Sequence, residues 1–240
     1  KSIRENYSFR VNENYTVPVS PGTFTLKKYL PTDGAKIDQV KAYLATNYIP
    51  MPPSPFIAGI YSRVDNSSGV WTPPANVAPL GITGPVVNIT DKQQENINVD
   101  ATAGKSINAI RSFTGRGTHV WGARTNAGNS NDWRYVNVVR LFIAMENDIS
   151  KAMEPYVFKP NVTNTWVEIK TMIELYLFGL WQAGAFAGST PEGSYQVMVG
   201  KGVTMTDDDS NNGLMKVSIL VAPVRPAEFI ELTFSQMVGQ

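Results

Sequence analysis

The amino-acid sequence predicts an α+β fold in which a mixed β-sheet is flanked by two long helices, with an extended C-terminal strand or arm. Apolar residues recur at helical spacing over Asp132–Glu154 and again over Thr165–Gln182, which indicates two amphipathic helices. The final segment, Glu228–Met237, instead alternates apolar and polar residues, as a strand with two different faces does. Shorter segments typical of strands lie between these features.

The N-terminal residues 1–52 differ in character from the rest of the chain. They are polar, with strand-like segments at Tyr7–Val11 and Thr23–Tyr29 and a helical pattern at Ala35–Thr46. Closely spaced prolines follow and predict a stiff, extended linker. We interpret residues 1–52 as the end of a preceding or inserted domain plus this linker, and residues 53–240 as the core domain.

β-Branched and aromatic residues mark the strands of the core domain. Two strands flank the turn Gly115–Gly117, where glycine allows a tight reversal. Trp71 lies in a proline-rich loop, and because large aromatic side chains bury much area, we expect it to pack on the core. The predicted strands are Ile57–Val64, Ile107–Phe113, His119–Arg124, Tyr195–Val199, Leu214–Ala222 and Glu228–Met237.

Capping signals mark where the helices begin. Thr90 with Gln93, and Thr165 with Glu168, have the spacing of a capping box. Asp132 is a good N-cap residue, because its carboxylate accepts hydrogen bonds from the free amides of a first turn. The predicted helices are Asp91–Asn96, Asp132–Glu154 and Thr165–Gln182.

The composition excludes several functional classes. The chain has 240 residues and a formal net charge of +1, so it has no global basic field that would attract nucleic acid. No apolar run approaches the ~20 residues needed to span a bilayer, and we expect no direct membrane insertion. Cysteine is absent, which excludes disulfides, thiolate zinc sites and cysteine nucleophiles.

Two motifs suggest ligand chemistry but fail in detail. Ala103–Ser106 resembles the end of a phosphate-binding loop, but Val99 stands where that motif needs glycine. Asp207–Gly213 resembles a calcium loop, but Ile219 stands where the bidentate glutamate is needed. A solvated turn between two strands is the better interpretation of the second motif.

The remaining polar side chains form no recognisable catalytic set. His119 is the single histidine, and we expect it to pack or hydrogen-bond locally within a strand. Arg116, Arg124 and Arg134 cluster in sequence, but pairing with backbone carbonyls or carboxylates is the better expectation. We therefore expect no catalytic residue, no metal site and no cofactor.

Several segments, in order along the chain, resemble the C-terminal core of contractile tail sheath proteins, a family that includes the sheaths of contractile phages, R-type pyocins and phage-like injection systems. The resemblance covers roughly Pro53 to the C-terminus. The segments that carry it are GVWTPPANV (69–77), ITDKQQENINV (89–99), GKSINAIRSF (104–113), GRGTHVWGART (115–125), DWRYVNVVRLF (132–142) and APVRPAEFI (222–230).

The resemblance implies a structural protein that assembles with copies of itself. It also implies that this sequence is the C-terminal portion of a longer chain. Sheath subunits polymerise as six-fold rings around an inner tube, engage baseplate and terminator proteins, and contract. They are assembled in the bacterial cytoplasm as part of a phage tail or phage-like particle. Their terminal arms exchange between neighbouring subunits. The resemblance therefore implies that the arm of about residues 226–240 is exchanged in the same way. The predicted inter-subunit strand contains Phe229, Ile230, Glu231, Leu232, Thr233 and Phe234.

A helix of this domain touches the inner tube in related sheaths. The candidate is Thr165–Gln182 through Lys170 and Glu168, with Asp132–Glu154 through Lys151 as the alternative. Simple solvated charges are an equally good interpretation of these residues.

Two rival functions stay open on the sequence alone. Another self-assembling protein, such as a capsid or baseplate component, would form closed shells or discs instead of tubes. A small-molecule enzyme would need a deep pocket around His119 and the arginines.

Overall fold

The computed structural model describes residues 9–11, 48–100, 102 and 104–232. Helices and antiparallel strands are both present in these ranges, which confirms the α+β class. The chain divides into two compact units: residues up to 69 with 74–136 form unit 1, and residues 70–73 with those from 137 onward form unit 2. None of the described helices has the length and apolar character that a membrane crossing requires.

The described residues of unit 1 form two small antiparallel sheets and two helices. Strand β1 (Phe9–Val11) pairs with both β2 (Ile49–Met51) and β3 (Ile82–Pro85), and β4 (Ala109–Phe113) forms a hairpin with β5 (Gly117–Trp121). The helices are α1 (Ser54–Ser68) and α2 (Asp91–Asn98). The core consists of Ile60, Val64, Ile110 and Val120.

Helix α1 shows that the strand predicted over Ile57–Val64 is wrong. Ile57, Ile60 and Val64 are three and four residues apart, so a helix brings them to one face, whereas a strand would divide them between two faces. Pro55 lies in the first turn of α1, where its missing N–H leaves no helical hydrogen bond unmade. The β-branched composition misled the prediction, and the spacing of the apolar residues decides the structure.

The β4–β5 hairpin and α2 confirm the predictions for this part of the chain. Thr90 and Gln93 form the predicted capping box at the start of α2. Arg111 of β4, 8% exposed, donates hydrogen bonds to the Asp91 carboxylate and the Gln94 side chain, both at 2.6 Å. This buried guanidinium fixes α2 on the hairpin.

The part of unit 2 that the structure describes contains two long helices, two short helices and one antiparallel sheet. The long helices are α3 (Val136–Met153), which continues into a 3₁₀ turn at Glu154–Tyr156, and α4 (Thr163–Gln182). The short helices are α5 (Pro191–Ser194) and α6 (Asp207–Asn211), and β6 (Tyr195–Val199) pairs with β7 (Val217–Val221). The core joins Leu141 and Met145 of α3 with Ile169, Ile173 and Leu177 of α4 and with Val197 of β6; Trp71 packs against it, as predicted.

Helix α3 begins four residues after its predicted cap, Asp132. The preceding residues pair with an earlier segment instead: Thr125 N donates to Arg134 O at 2.7 Å, and Val136 N donates to Ala123 O at 2.9 Å. These bonds pair residues 134–136 with residues 123–125 immediately ahead of the helix. Asp132 therefore lies in a turn, and the N-cap prediction is wrong.

Helix α4 begins two residues before its predicted cap, Thr165. Thr165 lies inside the helix and is buried, the N-cap residue is Val162 without a side-chain bond, and Glu168 pairs with Lys159 at 3.5 Å. The predicted capping box is therefore wrong. Its pattern was present in the sequence, but burial of Thr165 in the core took precedence.

The described strands form three separate antiparallel sheets, so the single mixed sheet expected from the sequence is wrong. The Asp207–Gly213 turn contains the short helix α6, in which Thr206 and Asp209 form a capping box. The predicted elements Thr23–Tyr29 and Ala35–Thr46 lie outside the described residues. The domain boundary between residues 52 and 53 stays a prediction.

Candidate functional surface

The C-terminal arm begins where the chain leaves β7. Residues Ala222–Val224 remain held by the segment that follows α4: Ala187 N donates to Ala222 O at 2.9 Å, and Val224 N donates to Ala185 O at 3.1 Å. Ala185 is fully buried in the core of unit 2. This short stretch, Ala222–Val224, is the arm root, and its backbone is fixed to the core.

Beyond the root, the arm exposes large apolar side chains. Residues 224–232 form no strand, and Phe229, Ile230 and Leu232 are 76%, 81% and 71% exposed. Glu231 is exposed as well, so both faces of the predicted strand are open to solvent in the single chain. Thr233 and Phe234, the remaining members of that strand, lie outside the described residues.

Strand β6 offers an open sheet edge in the same unit. Its described strand partner is β7 alone, in the register Tyr195↔Val221 to Val199↔Val217. All five residues of β6 line an open groove of about 510 Å³, which Lys170 and Glu174 of α4 also line. An edge strand presents a row of backbone N–H and C=O groups that another extended chain can pair with.

The charged side chains predicted to touch an inner tube have partners within the chain. Glu168 lies 3.5 Å from Lys159, and Lys170 lies 3.7 Å from Glu174, one helical turn further on. Lys170 also lines the β6 groove, so Glu168 and Lys170 have different surroundings although both belong to α4. Exposed pairs of this kind contribute about 0–1 kcal/mol each.

Lys151, the alternative candidate, lies in the last turn of α3 and is exposed. A cation at this end of a helix complements the helix dipole. Its position is thus accounted for by the helix itself, and contact with an inner tube stays a prediction.

The side chains considered for catalysis are engaged in local structure. His119 Nδ1 lies 3.3 Å from Gly117 O, and its ring meets Phe113 edge-on. Arg116 donates to the Asn76 side chain at 2.6 Å, and Arg134 Nε donates to Ser130 O at 2.8 Å. Arg134 thus pairs with a backbone carbonyl, as expected, whereas Arg116 pairs with an amide oxygen instead of a carboxylate.

The titration of three groups departs from the usual range for structural reasons. Burial, followed by the nearby Glu174 and Glu192 carboxylates, raises the pKa of Tyr195. Burial, with the nearby Asp148 carboxylate, raises the pKa of Tyr176. Hydrogen bonds from Lys216 and from Thr206 lower the pKa of Asp209 to about 2. Within the described ranges, no group of three or more His, Cys, Asp or Glu side chains is placed to hold a metal ion.

The open edge of β6 is the feature that sequence reasoning missed. The strand itself was predicted over Tyr195–Val199, but which of its edges is free depends on non-local pairing with β7. The alternating pattern of a strand specifies its two faces and carries no information about its two edges. Only the folded chain shows which edge of β6 is free of a described strand partner.

Comparison with known proteins gives a consistent set of relatives. Residues 129–236 match the family model described as the phage tail sheath C-terminal domain. The tail sheath protein of Vibrio phage KVP40 is 28% identical over 184 residues, which cover 74% of this chain and 25% of that protein.

Two solved structures share this fold and are more similar in sequence than the phage protein. A chain of the PVC sheath complex in the contracted state, from an extracellular contractile injection system, is 47% identical, with a TM-score of 0.74 over 80% of this chain and 52% of that one. A chain of the six-fold symmetrised baseplate of the anti-feeding prophage is 47% identical, with a TM-score of 0.72 over 79% and 51%. The chain therefore spans about half the length of these two relatives.

Proposed function

This chain belongs to the contractile tail sheath family through its C-terminal domain, and from that premise we propose that it is a structural subunit of a contractile sheath. In this role it polymerises as stacked rings around an inner tube and contracts to drive the tube through a target envelope. It is a structural protein and not an enzyme. The observation that carries the proposal is the arm of exposed apolar residues in a unit that also holds an open sheet edge.

The arm of one subunit adds to the β6 edge of a neighbouring subunit. Main-chain hydrogen bonds to the edge give the affinity, and alternate side chains such as Ile230 and Leu232 fix the register. Donor and acceptor are different surfaces, so each subunit lends its arm to one neighbour and accepts an arm from another. Contacts of this kind do not close on a pair, and they generate rings and helical filaments.

Contraction is a transition between two packings of the same subunits. The exchanged arms keep neighbouring subunits connected while the lattice rearranges. The free energy is stored in the extended lattice, so the chain needs no nucleotide hydrolysis.

The inner tube contacts helix α4 through Lys170 and Glu168, with Lys151 of α3 as the alternative contact. Weak exposed ion pairs suit a grip that has to release on contraction. The further partners are baseplate and terminator proteins; the match to a chain of a baseplate structure supports the first of these. Assembly takes place in the bacterial cytoplasm, within a phage tail or phage-like particle.

Deletion of residues 228–240 tests the donated strand. We expect the truncated protein to remain folded, because Phe229–Leu232 are exposed and no described residue of the deleted segment belongs to the core. We also expect it to form no tubes in electron micrographs under conditions in which the intact protein does. Tubes of normal length from the truncated protein would refute the proposal.

A baseplate or capsid-like assembly is the second candidate, favoured by the same baseplate match. Electron microscopy of the purified full-length protein separates the two candidates, because a sheath gives extended tubes whereas the alternative gives discs or closed shells.

A further inference from the structure

A buried amide lies beneath the arm root. Asn137, in the first turn of α3, is 1% exposed. Its Nδ2 donates to Trp71 O at 2.9 Å and to Val224 O at 3.1 Å. The two N–H groups of this side chain therefore hold two separate segments, the Trp71 loop and the last residue of the arm root.

The orientation of this amide follows from its neighbours. Both Trp71 O and Val224 O are carbonyl oxygens, which accept and cannot donate, so the nitrogen of Asn137 has to face them. The carbonyl oxygen, Oδ1, then points away and finds no hydrogen-bond partner among the described residues. A buried acceptor without a partner costs free energy that an apolar side chain of the same shape would avoid.

Asparagine at position 137 thus satisfies two main-chain carbonyls and leaves its own oxygen without a described partner. The residue occupies the buried face of α3 beside Val138 and Leu141, where leucine would satisfy the same packing. What leucine would lack is the pair of bonds to Trp71 O and to the arm root. Beyond that bond the chain belongs to no strand as far as Leu232, and Val224 O is a point at which a side chain of the core holds the arm root.

We propose that Asn137 is a positioning residue for the C-terminal arm. Its amide fixes the point and direction from which the arm leaves the subunit, and thereby the register in which the arm reaches the β6 edge of a second copy. This inference rests on the proposed function, in which the arm is the donated strand. A fixed root matters because a one-residue slip of a donated strand would turn its apolar side chains to the wrong face.

The test replaces Asn137 by leucine in the full-length protein. N137L removes both donors and leaves Trp71 O and Val224 O without that partner, so we expect the midpoint of denaturant unfolding to fall, as it does in the control below. We expect the backbone amide of Val224 to exchange its hydrogen at least tenfold faster. We also expect the protein concentration needed for tube assembly to rise about tenfold, which corresponds to about 1.4 kcal/mol.

Ile173→Val serves as the matched control. Ile173 is 1% exposed in the same core, and loss of one methyl group lowers stability without removing a hydrogen bond to the arm root. In I173V we expect exchange at Val224 and the assembly concentration to stay near the wild-type values. Equal exchange rates at Val224 in N137L and I173V would overturn the inference.

Two further variants separate the possible failures. N137A repeats the measurement with a smaller side chain; if both N137L and N137A fail to fold, the amide is a core requirement and its positioning role is refuted. If the deletion of residues 228–240 still assembles, the donated strand itself is wrong. If the deletion abolishes assembly but N137L behaves as I173V does, the proposed function stands and only the role of Asn137 fails.

Discussion

Helix α4 and the C-terminal arm carry similar apolar side chains in opposite environments. Ile169, Ile173 and Leu177 of α4 are 0%, 1% and 0% exposed, whereas Ile230 and Leu232 of the arm are 81% and 71% exposed. Both sets recur at the spacing of their expected element, every four residues in the helix and every two in the arm. The side chains are thus chemically alike, but those of α4 pack within their own unit and those of the arm are exposed to solvent.

The difference indicates where each set contributes its free energy. Burial of an isoleucine or leucine side chain is worth about 1.5–3 kcal/mol, and the helix obtains this within its own unit. The apolar side chains of the arm stay exposed in the single chain, so their free energy of burial has not been gained there. This free energy is therefore available to an intermolecular contact, which is what a subunit that folds first and assembles later requires.

The largest expected effect is on the free energy of unfolding and comes from a substitution in the buried face of α4. Leu177→Ala leaves a cavity in the core of unit 2, so we expect the free energy of unfolding to fall by about 2–5 kcal/mol. Denaturant unfolding measures this value. A loss below about 1 kcal/mol would show that α4 is not the centre of the core.

The arm side should give the opposite pattern. Leu232→Asp should leave the free energy of unfolding unchanged within about 0.5 kcal/mol and abolish tube assembly, because a buried carboxylate cannot replace an apolar anchor. Leu80→Asp is the matched control, since Leu80 in unit 1 is also 71% exposed. Sedimentation and electron microscopy measure assembly. Equal assembly by the two variants would remove the distinction between the arm and an ordinary exposed leucine.

A smaller effect is expected at the charged face of α4. Lys170→Glu breaks the pair with Glu174, which should cost less than about 0.5 kcal/mol of stability. We expect sheaths of this variant to form but to retain less inner tube after purification, as measured by the ratio of tube to sheath protein on a gel. Lys151→Glu is the parallel variant. Loss of tube from K151E alone would move the contact to α3.

The smallest effect concerns acid stability near β7. The Asp209 carboxylate accepts hydrogen bonds from Lys216 Nζ at 2.7 Å and from Thr206 N at 2.9 Å, and its pKa is lowered from 3.8 to about 2. The stabilisation is therefore present above pH 3.8 and is lost as the pH falls through about 2. Asp209→Asn should unfold with a weaker dependence on pH in this window, as thermal unfolding between these pH values would show. The same acid sensitivity in both proteins would contradict the assignment.

Local patterns predicted the elements whose stability is local. The Thr90–Gln93 capping box, the β4–β5 hairpin and the apolar stripes of α3 and α4 were all legible in the sequence. Predictions failed where a tertiary contact took precedence, as at Asp132, where pairing with residues 123–125 delays the helix. The strand predicted over Ile57–Val64 is wrong because the apolar residues there recur at helical spacing.

The candidate surface was only half predictable. The alternation of the arm is a local property, so its apolar residues could be identified from sequence. The β6 edge and the contact between Asn137 and Val224 could not, because they join residues far apart in the chain. The available signal for Asn137 was its place among apolar residues, four positions before Leu141 on one helical face.

Cross-linking tests most directly whether the arm is lent to a neighbouring copy. This chain has no cysteine, so one copy can carry Gln196→Cys on β6 and another Phe229→Cys, Ile230→Cys or Glu231→Cys on the arm. Because each copy has a single thiol, a disulfide between the two variants has to join different molecules. We expect at least one mixture to give this mixed dimer in assembled tubes and not in dispersed subunits. If no mixture cross-links, and a chain carrying both cysteines instead forms the disulfide within itself, the arm stays with its own subunit and the account is wrong.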